Sequence, residues 1–164
     1  MTFNRLNRRI HFWGSIICVV PTIIVIVTGL FLLLRKEFDW IQPPTNNGKG
    51  TYPTLEFSRI IDICKHVEEL QINDWKDISR FDVRPQDGII KIIANNNYEA
   101  QIDFQTGEVL QVAKRRSGVI EKIHDGSFFH KYLSLGLFFP SALILLVISL
   151  TGIFIFFRTL SIRR

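Results

Sequence analysis

Four histidines are the residues of this 164-residue chain whose chemistry is easiest to name: His11, His66, His124 and His130. Imidazole is a frequent axial ligand of haem and the commonest side-chain ligand of divalent metals. No other chemistry has a comparable basis in the sequence, which contains no Gly-rich phosphate loop, no HExxH and no CxxC motif. We therefore expect no catalytic residue, and no enzymatic activity of the chain alone.

Two apolar runs bracket the middle of the chain. Residues 11–34 and 132–157 contain no Asp, Glu, Lys or Arg. Each run exceeds the ~20 residues that a helix needs to cross the ~30 Å hydrocarbon core of a bilayer. The first is also longer than a signal-peptide core, and no small-x-small cleavage site follows it. The pattern predicts a membrane α-helical hairpin: a first span at 11–34, a middle domain at 35–123, and a juxtamembrane segment with a second span at 124–157.

The net charge of +5 lies on the two short tails, 1–10 and 158–164, which carry six arginines. The middle domain holds 13 Lys and Arg against 14 Asp and Glu, so it is nearly neutral. A nucleic-acid-binding protein would carry its basic patch on a folded domain, and this class is therefore excluded. Positive charge on short loops and tails marks the cytoplasmic side of a membrane. We expect both basic tails in the cytoplasm and the middle domain on the opposite side.

The middle domain is predicted to be a small α+β fold, with one helix on an antiparallel sheet of about four strands. Between residues 54 and 70, with Thr54 as N-cap, apolar residues recur at helical spacing on one face. They are Phe57, Ile60, Ile61, Cys64 and Val67. The period then changes to two, and four short segments between 79 and 113 are separated by tight turns. Cys64 is expected in the core and His66 in solvent.

Three polar features of this domain are expected in water. The residues that alternate with apolar ones in the strands, such as Glu99, should face solvent, so Glu99→Ala should cost little. The small polar segment 45–50 should be a flexible connection. The run Lys114-Arg115-Arg116 should be a solvated strand end, with anionic headgroups or a protein partner as the alternative.

Six short segments occur along the chain in a characteristic order: RIHFWG at 9–14, RKEFDWIQPP at 35–44, FDVRP at 81–85, YEAQID at 98–103, TGEVL at 106–110 and IHDGSFFH at 123–130. Together they resemble a PepSY-domain protein with PepSY-associated transmembrane helices, in a compact two-span form. The resemblance implies a small α+β domain on the outer face of a bacterial cytoplasmic membrane. Some members of the family are linked to peptidase inhibition. Larger relatives include siderophore-associated ferric reductases that bind haem between histidine-bearing helices.

The resemblance makes His11, His124 and His130 the candidate ligands of haem or a metal. A span of about 20 residues, at 1.5 Å per residue, places His11 ~30 Å from the other two, so they cannot share a haem within one chain. On one helix, His124 and His130 would point ~120° apart. Simple interfacial histidines, or a weak divalent-metal site that includes Asp125, are the alternatives. We therefore assign no cofactor and keep haem as the alternative.

These observations favour an accessory or binding subunit of the bacterial inner membrane. Its PepSY-like domain would be periplasmic and would dock to a membrane or periplasmic protein. The expected partners are the lipid bilayer and a membrane protein complex or homo-oligomer, without nucleic acid. Two alternatives remain: a haem-binding electron-transfer component of a ferric-siderophore reductase system, and a module that regulates a peptidase.

Overall fold

The computed structural model describes residues 3–162, without the side chains of 3–11, 14, 148, 151, 152 and 154–162. The chain divides into two units. The helical unit holds the residues up to Leu30 and from Ile120 onward, and the sheet unit is Phe31–Val119. The predicted tails at 1–10 and 158–164 lie wholly outside the described side chains.

The helical unit begins with a single long helix, α1, at Phe3–Leu33. Its segment Ser15–Leu33 has 19 residues and a mean hydropathy of 2.9, and it is long and apolar enough to cross a membrane. Pro21 lies inside this helix and cannot donate a backbone hydrogen bond. The helix continues past it. Thr22 and Thr28 turn their hydroxyls back onto the carbonyls of Cys18 and Ile24, which satisfies these polar groups within the helix.

The second half of the helical unit is built from shorter pieces. Helix α3 at Ser117–His124 leads into α4 at Lys131–Leu133, a π-helical turn at Ser134–Phe138, and α5 at Phe139–Ile162. Within the described side chains, the apolar helical stretch Lys131–Val147 is shorter than a span. The second span of the expected hairpin therefore stays a prediction. His124 and His130 do not share one helix, since one ends α3 and the other precedes α4.

The sheet unit has the α+β fold expected from the sequence. Helix α2 at Phe57–Lys65 is followed by two short 3₁₀ turns, at Glu68–Leu70 and Trp75–Asp77. The strands are β1 at Ile78–Arg84, β2 at Ile89–Ala94, β3 at Tyr98–Asp103 and β4 at Val109–Lys114. They form one antiparallel sheet in the order β1-β2-β3-β4. Four strands and their antiparallel pairing are thus confirmed.

Helix α2 is shorter than predicted, and Thr54 does not cap it. The N-cap is Glu56, which makes no side-chain capping bond. Thr54 is instead held to the end of β3: its backbone N–H donates to Phe104 O, and its hydroxyl donates to Gln105 O. The chain is extended there because it pairs with the strand end, so helical geometry starts only at Phe57.

One face of the sheet packs against α2 and forms the apolar core. The buried members of this core are Ile60, Ile61, Cys64, Leu70, Ile72, Ile90, Ile92, Ala94, Ala100, Ile102 and Phe104. Phe57 was predicted on the buried face of the helix, but it remains 64% exposed. Val83, which lies on the same face of the sheet in β1, is 43% exposed.

Candidate functional site

The opposite face of the sheet is also buried, and it is polar. Lys91, Glu99, Gln101 and Asp103 are each no more than 1% exposed. They are covered by residues 41–50, which we call the strap. Residues 45–50 of the strap were expected to be a flexible connection, and Glu99 was expected in solvent; both expectations are wrong. The backbone of a buried loop requires hydrogen-bond partners, and side chains on the sheet supply them here. A small polar segment can therefore pack against this face of the sheet.

Glu99 is the centre of a buried ion triad. Its Oε1 accepts from Lys91 Nζ at 3.1 Å, and its Oε2 accepts from Arg115 Nη1 at 3.0 Å. Lys91 also donates to the Thr45 hydroxyl of the strap at 2.8 Å. Arg115 was expected to be solvated, but its side chain is only 10% exposed. The triad is tolerated because the Glu99 carboxylate pairs with both cations, and because Lys91 and Glu99 each have a further hydrogen bond in place of water, to Thr45 and from Gln101.

Gln101 and Asp103 hold the strap through its backbone. Gln101 accepts from Asn46 N at 2.8 Å and donates to Pro44 O at 2.7 Å. One carboxylate oxygen of Asp103 accepts from the backbone N–H groups of Lys49 and Gly50, at 2.6 and 3.0 Å. Residues 44–50 of the strap are therefore bonded to two alternate positions of β3.

The other carboxylate oxygen of Asp103 closes the turn after β3. It accepts from the N–H groups of Gln105 and Thr106 at 2.9 and 2.8 Å. Burial by itself raises the pKa of Asp103, but the four backbone N–H groups stabilise the charged form, and the pKa stands well below its usual range. One carboxylate thus fixes both the strap and the β3–β4 turn.

The chain enters and leaves the sheet unit at the same place. Ser117 N donates to Ile41 O at 2.8 Å, and the Ser117 hydroxyl donates to Gln42 Oε1 at 3.2 Å. Arg116 donates to Trp40 O at 3.1 Å, and its guanidinium lies 5.3 Å from the centre of the Trp40 ring. This junction joins the segment that follows α1 to the start of α3. Trp40 is 58% exposed beside Arg116, a pairing that suits a membrane–water interface.

An aromatic cluster lies open on the α2 face at the β1 edge. Phe57 lies 5.2 Å from Phe81 and 6.2 Å from Trp75, measured between ring centres. Phe57 is 64% and Trp75 44% exposed. Contiguous exposed aromatic surface of this kind is typical of protein-binding sites.

In the helical unit, His124 contacts the first helix. Its Nδ1 lies 3.0 Å from the Thr28 hydroxyl oxygen, and Thr28 is 8% exposed. The single hydroxyl proton of Thr28 is directed to the carbonyl of Ile24. With the hydroxyl proton on Ile24 O, Nδ1 donates to Thr28 Oγ1, and Nε2 is then the lone-pair nitrogen of a neutral ring. Metal-bound histidines commonly have this arrangement, with the second nitrogen donating to a fixed acceptor.

His130 has the reverse arrangement. Its Nδ1 accepts from Tyr132 N at 3.3 Å as the cap of α4, and its ring stacks on Tyr132 at 5.1 Å. Its neutral form therefore carries the proton on Nε2, so it cannot ligate through that atom as it stands. His66 Nδ1 contacts Asp62 O at 2.6 Å and is exposed, as expected. The side chain of His11 lies outside the described residues.

The structure does not bring the three candidate ligands into one place. Thr28, beside His124, lies 17 residues beyond His11 along α1, which corresponds to a rise of about 25 Å. Among the described residues, no three His, Cys, Asp or Glu side chains are arranged to hold a metal ion. Cys64 is fully buried, and burial raises its pKa to about 11, which disfavours the nucleophilic thiolate.

Sequence reasoning missed the polar layer beneath the strap. One signal was present, because Glu99, Gln101 and Asp103 occur at alternate positions of one strand, and each can form several hydrogen bonds. Three such side chains on one face of a strand can supply the hydrogen bonds that a backbone segment needs when it packs on a sheet. The signal is weak, since the same alternation describes any strand with one face in water.

The family model described as the PepSY-associated TM region matches residues 8–163. The match covers nearly the whole chain, and the chain therefore belongs to this family. It is a membrane-associated protein of the PepSY type. No curated protein and no solved structure matches it.

Proposed function

We propose that this protein is an accessory or binding subunit of a bacterial inner membrane, which presents its sheet unit to a protein partner on the periplasmic side. In this proposal both termini are cytoplasmic, and residues 132–157 form a second span. The arginines of the two tails support this orientation through the positive-inside rule.

The observation that carries the proposal is the junction at which the chain enters and leaves the sheet unit. Trp40 and Ile41 are hydrogen-bonded to Arg116 and Ser117. A chain that leaves a folded unit where it entered returns to the same surface, as a domain between two neighbouring spans must. Lys91, Gln101 and Asp103 hold residues 44–50 against the sheet, so the entering segment is part of the folded sheet unit.

The orientation can be tested with reporters that report the side of the membrane. A reporter inserted at Gln86, which is exposed in the β1–β2 turn, is expected to give a periplasmic signal. A fusion after Arg164 is expected to give a cytoplasmic signal. A periplasmic signal from the C-terminal fusion would refute the two-span orientation.

The docking role can be tested with a photo-crosslinking amino acid at position 57, within the exposed aromatic cluster. A discrete adduct is expected in cells, because exposed aromatic surface is removed from water by a partner. The matched control carries the crosslinker at Lys65, exposed at the other end of the same helix. Equal adducts at both positions, or none at either, would count against a partner at this surface. A peptidase as the adduct would favour the regulatory alternative.

Haem binding is the second candidate, and one observation favours it. The contact from His124 Nδ1 to Thr28 leaves Nε2 as the nitrogen with a lone pair. That arrangement fits one axial ligand, and haem bound there would supply one-electron transfer. Thr28 would fix the ring orientation, and its hydroxyl would keep the proton on Nδ1. His130 does not fit the same role with its present hydrogen bond. The absorbance spectrum of the detergent-purified protein tests this candidate, since a haem protein shows a Soret band and reducible α and β bands.

A further inference from the structure

Strand β1 is an edge of the sheet, because among residues 3–162 only β2 pairs with it. An edge strand presents alternate backbone N–H and C=O groups that another strand can pair with. Its register with β2 shifts between Ile78 and Arg80, so its regular part starts at Arg80. Such a bulge limits how far a second strand can pair along the edge.

Apolar surface is exposed on one face of the same edge. Phe81 and Val83 pair with Ile92 and Ile90 of the core, so they lie on the α2 face. Val83 is 43% and Phe57 64% exposed there. A partner that extended the sheet at β1 would bury these side chains together with its main-chain bonds.

The opposite face of the edge carries alternating charge. Arg80, Asp82 and Arg84 occupy successive positions on this face. Asp82 Oδ2 accepts from Arg84 Nε at 3.0 Å, and both side chains remain more than one-third exposed. A carboxylate accepts several hydrogen bonds, so Asp82 can bind a second cation from across an interface.

We propose that β1 pairs antiparallel with β1 of a second copy of this chain, about a two-fold axis at Phe81. This register sets Arg80 opposite Asp82 of the second copy, and Asp82 opposite Arg80, so that two ion pairs form. It sets Phe81 opposite its own copy on the other face, where the two exposed Phe57 side chains extend the apolar contact. The strand is self-complementary in charge about this position.

The neighbouring registers are less favourable. An axis at Asp82 would set Asp82 opposite itself and Arg80 opposite Arg84, and like charges directly opposite are destabilising. An axis at Val83 would also form two ion pairs, Asp82 of each copy with Arg84 of the other. It would, however, set Phe81 opposite Pro85, which has no N–H to donate. A register in which the two strands are shifted by one residue is excluded, because it would turn the α2 faces of the two copies to opposite sides.

The pairing is one form of the docking proposed above, and it can fail while docking to another protein holds. The test uses the full chain with donor or acceptor fluorescent proteins fused after Arg164, reconstituted together in phosphatidylcholine vesicles. Energy transfer is measured over a series of protein-to-lipid ratios, because added lipid dilutes the protein in the bilayer and separates copies that do not associate. Wild-type copies are expected to associate. Arg80→Asp alone and Asp82→Arg alone are each expected to weaken association about tenfold, because two attractive pairs become repulsive.

The decisive sample mixes the two single variants. Arg80→Asp in one copy and Asp82→Arg in the other restore opposite charges at both pairs, so energy transfer between them is expected to return. The double variant carrying both changes should also associate with itself. Lys114→Asp is the matched control, a charge reversal on the other edge strand, and it should leave association unchanged. Recovery in the mixture also shows that both variants are folded.

Three results would overturn the pairing: wild-type copies that do not associate, single variants that associate as wild type does, or a mixture that does not recover. An effect of Asp82→Arg without any effect of Arg80→Asp would replace the axis at Phe81 with the axis at Val83. A crosslink from position 57 to a different protein, with no association of the chain with itself, would leave the docking role intact and refute the second copy as its partner.

Discussion

Glu99 Oε2 lies 3.0 Å from Arg115 Nη1, and the Glu99 side chain is fully buried. Arg115 directly follows β4 and precedes Arg116 and Ser117, which bond to the segment where the chain enters the sheet unit. The ion pair therefore links β3, a central strand, to the junction at which the chain enters and leaves the sheet unit. A carboxylate expected in solvent is therefore part of the buried structure of the sheet unit.

Glu99→Ala is accordingly expected to destabilise the sheet unit strongly. Removing the carboxylate leaves Lys91 and Arg115 buried without an anion, and breaking a buried pair from one side costs about 3–5 kcal/mol. Urea unfolding of the full chain in detergent, followed by tryptophan fluorescence, measures the free energy of unfolding. The control is Glu108→Ala, since Glu108 is 57% exposed and pairs with Lys49 only at 3.8 Å. That exposed pair should contribute less than about 1 kcal/mol, so equal losses in the two variants would contradict the buried triad.

Asp103 is expected to make the stability of the sheet unit depend on acid pH. Its native pKa is lowered from the ordinary value of 3.8, because four backbone N–H groups outweigh the effect of burial. The unfolded state therefore takes up the proton first as pH falls. The stabilisation is complete above about pH 4 and is lost as pH drops below it towards the native pKa.

Asp103→Asn tests this dependence. The variant should be less stable than wild type at pH 7, and the difference should shrink as the pH falls from about 4 to about 2. Asp62→Asn, an exposed site on α2, is the matched control. A difference between wild type and Asp103→Asn that stayed constant over that range would show that the carboxylate charge does not hold the strap.

Ile102 is expected to stabilise the sheet unit through packing alone. Its side chain is 0% exposed in the core beneath α2, and Ile102→Ala should cost about 2–5 kcal/mol through lost burial and the cavity left behind. Val83→Ala on the same face of the sheet should cost far less, because Val83 is 43% exposed. The same urea experiment measures both. Similar losses would mean that β1 is covered by more than the described structure shows.

The α+β fold could be predicted because local patterns determine it. The alternation from Tyr98 to Phe104 requires a strand, and the spacing of Ile60, Ile61 and Cys64 requires a helix with one apolar face. The polar layer could not be predicted in the same way. Alternation shows that Glu99 and Gln101 lie on the other face of β3, but not whether water or a strap covers that face. The answer depends on residues 41–50, about 50 positions away in the sequence, whose composition is that of a loop.

The histidines illustrate the same limit. Sequence spacing predicts an angle between His124 and His130 on one helix. In the structure α3 ends at His124, and the chain turns at Gly126, which has a positive φ of 78°. Local spacing cannot reveal a contact such as that of His124 with Thr28, which are 96 residues apart. The tautomers, and with them the ability to ligate, follow from these contacts and not from the sequence motif.

Cys64 should be unreactive in the folded protein. Its thiol is 0% exposed, and burial raises its pKa to about 11, so little thiolate exists near neutral pH. In a Cys18→Ala background, a maleimide at pH 7.5 should label the chain only after urea has unfolded it. Ser79→Cys in the same background, on the exposed bulge of β1, should label at once. Rapid labelling of folded Cys64 would contradict the packing of α2 on the sheet.

The last prediction concerns haem. A monomer of this chain is not expected to give the low-spin spectrum of a haem with two histidine ligands. His124 lies beside Thr28, about 25 Å along α1 from His11, and His130 carries its neutral proton on Nε2. If the purified protein contains haem, His124→Ala should abolish the Soret band and His130→Ala should preserve it. Thr28→Val should keep the haem but shift its midpoint potential, because the ligand loses the acceptor that fixes its Nδ1 proton. Loss of haem in His130→Ala with retention in His124→Ala would refute the tautomer assignment. A monodisperse monomer with a bis-histidine spectrum would refute the separation of the ligands along α1.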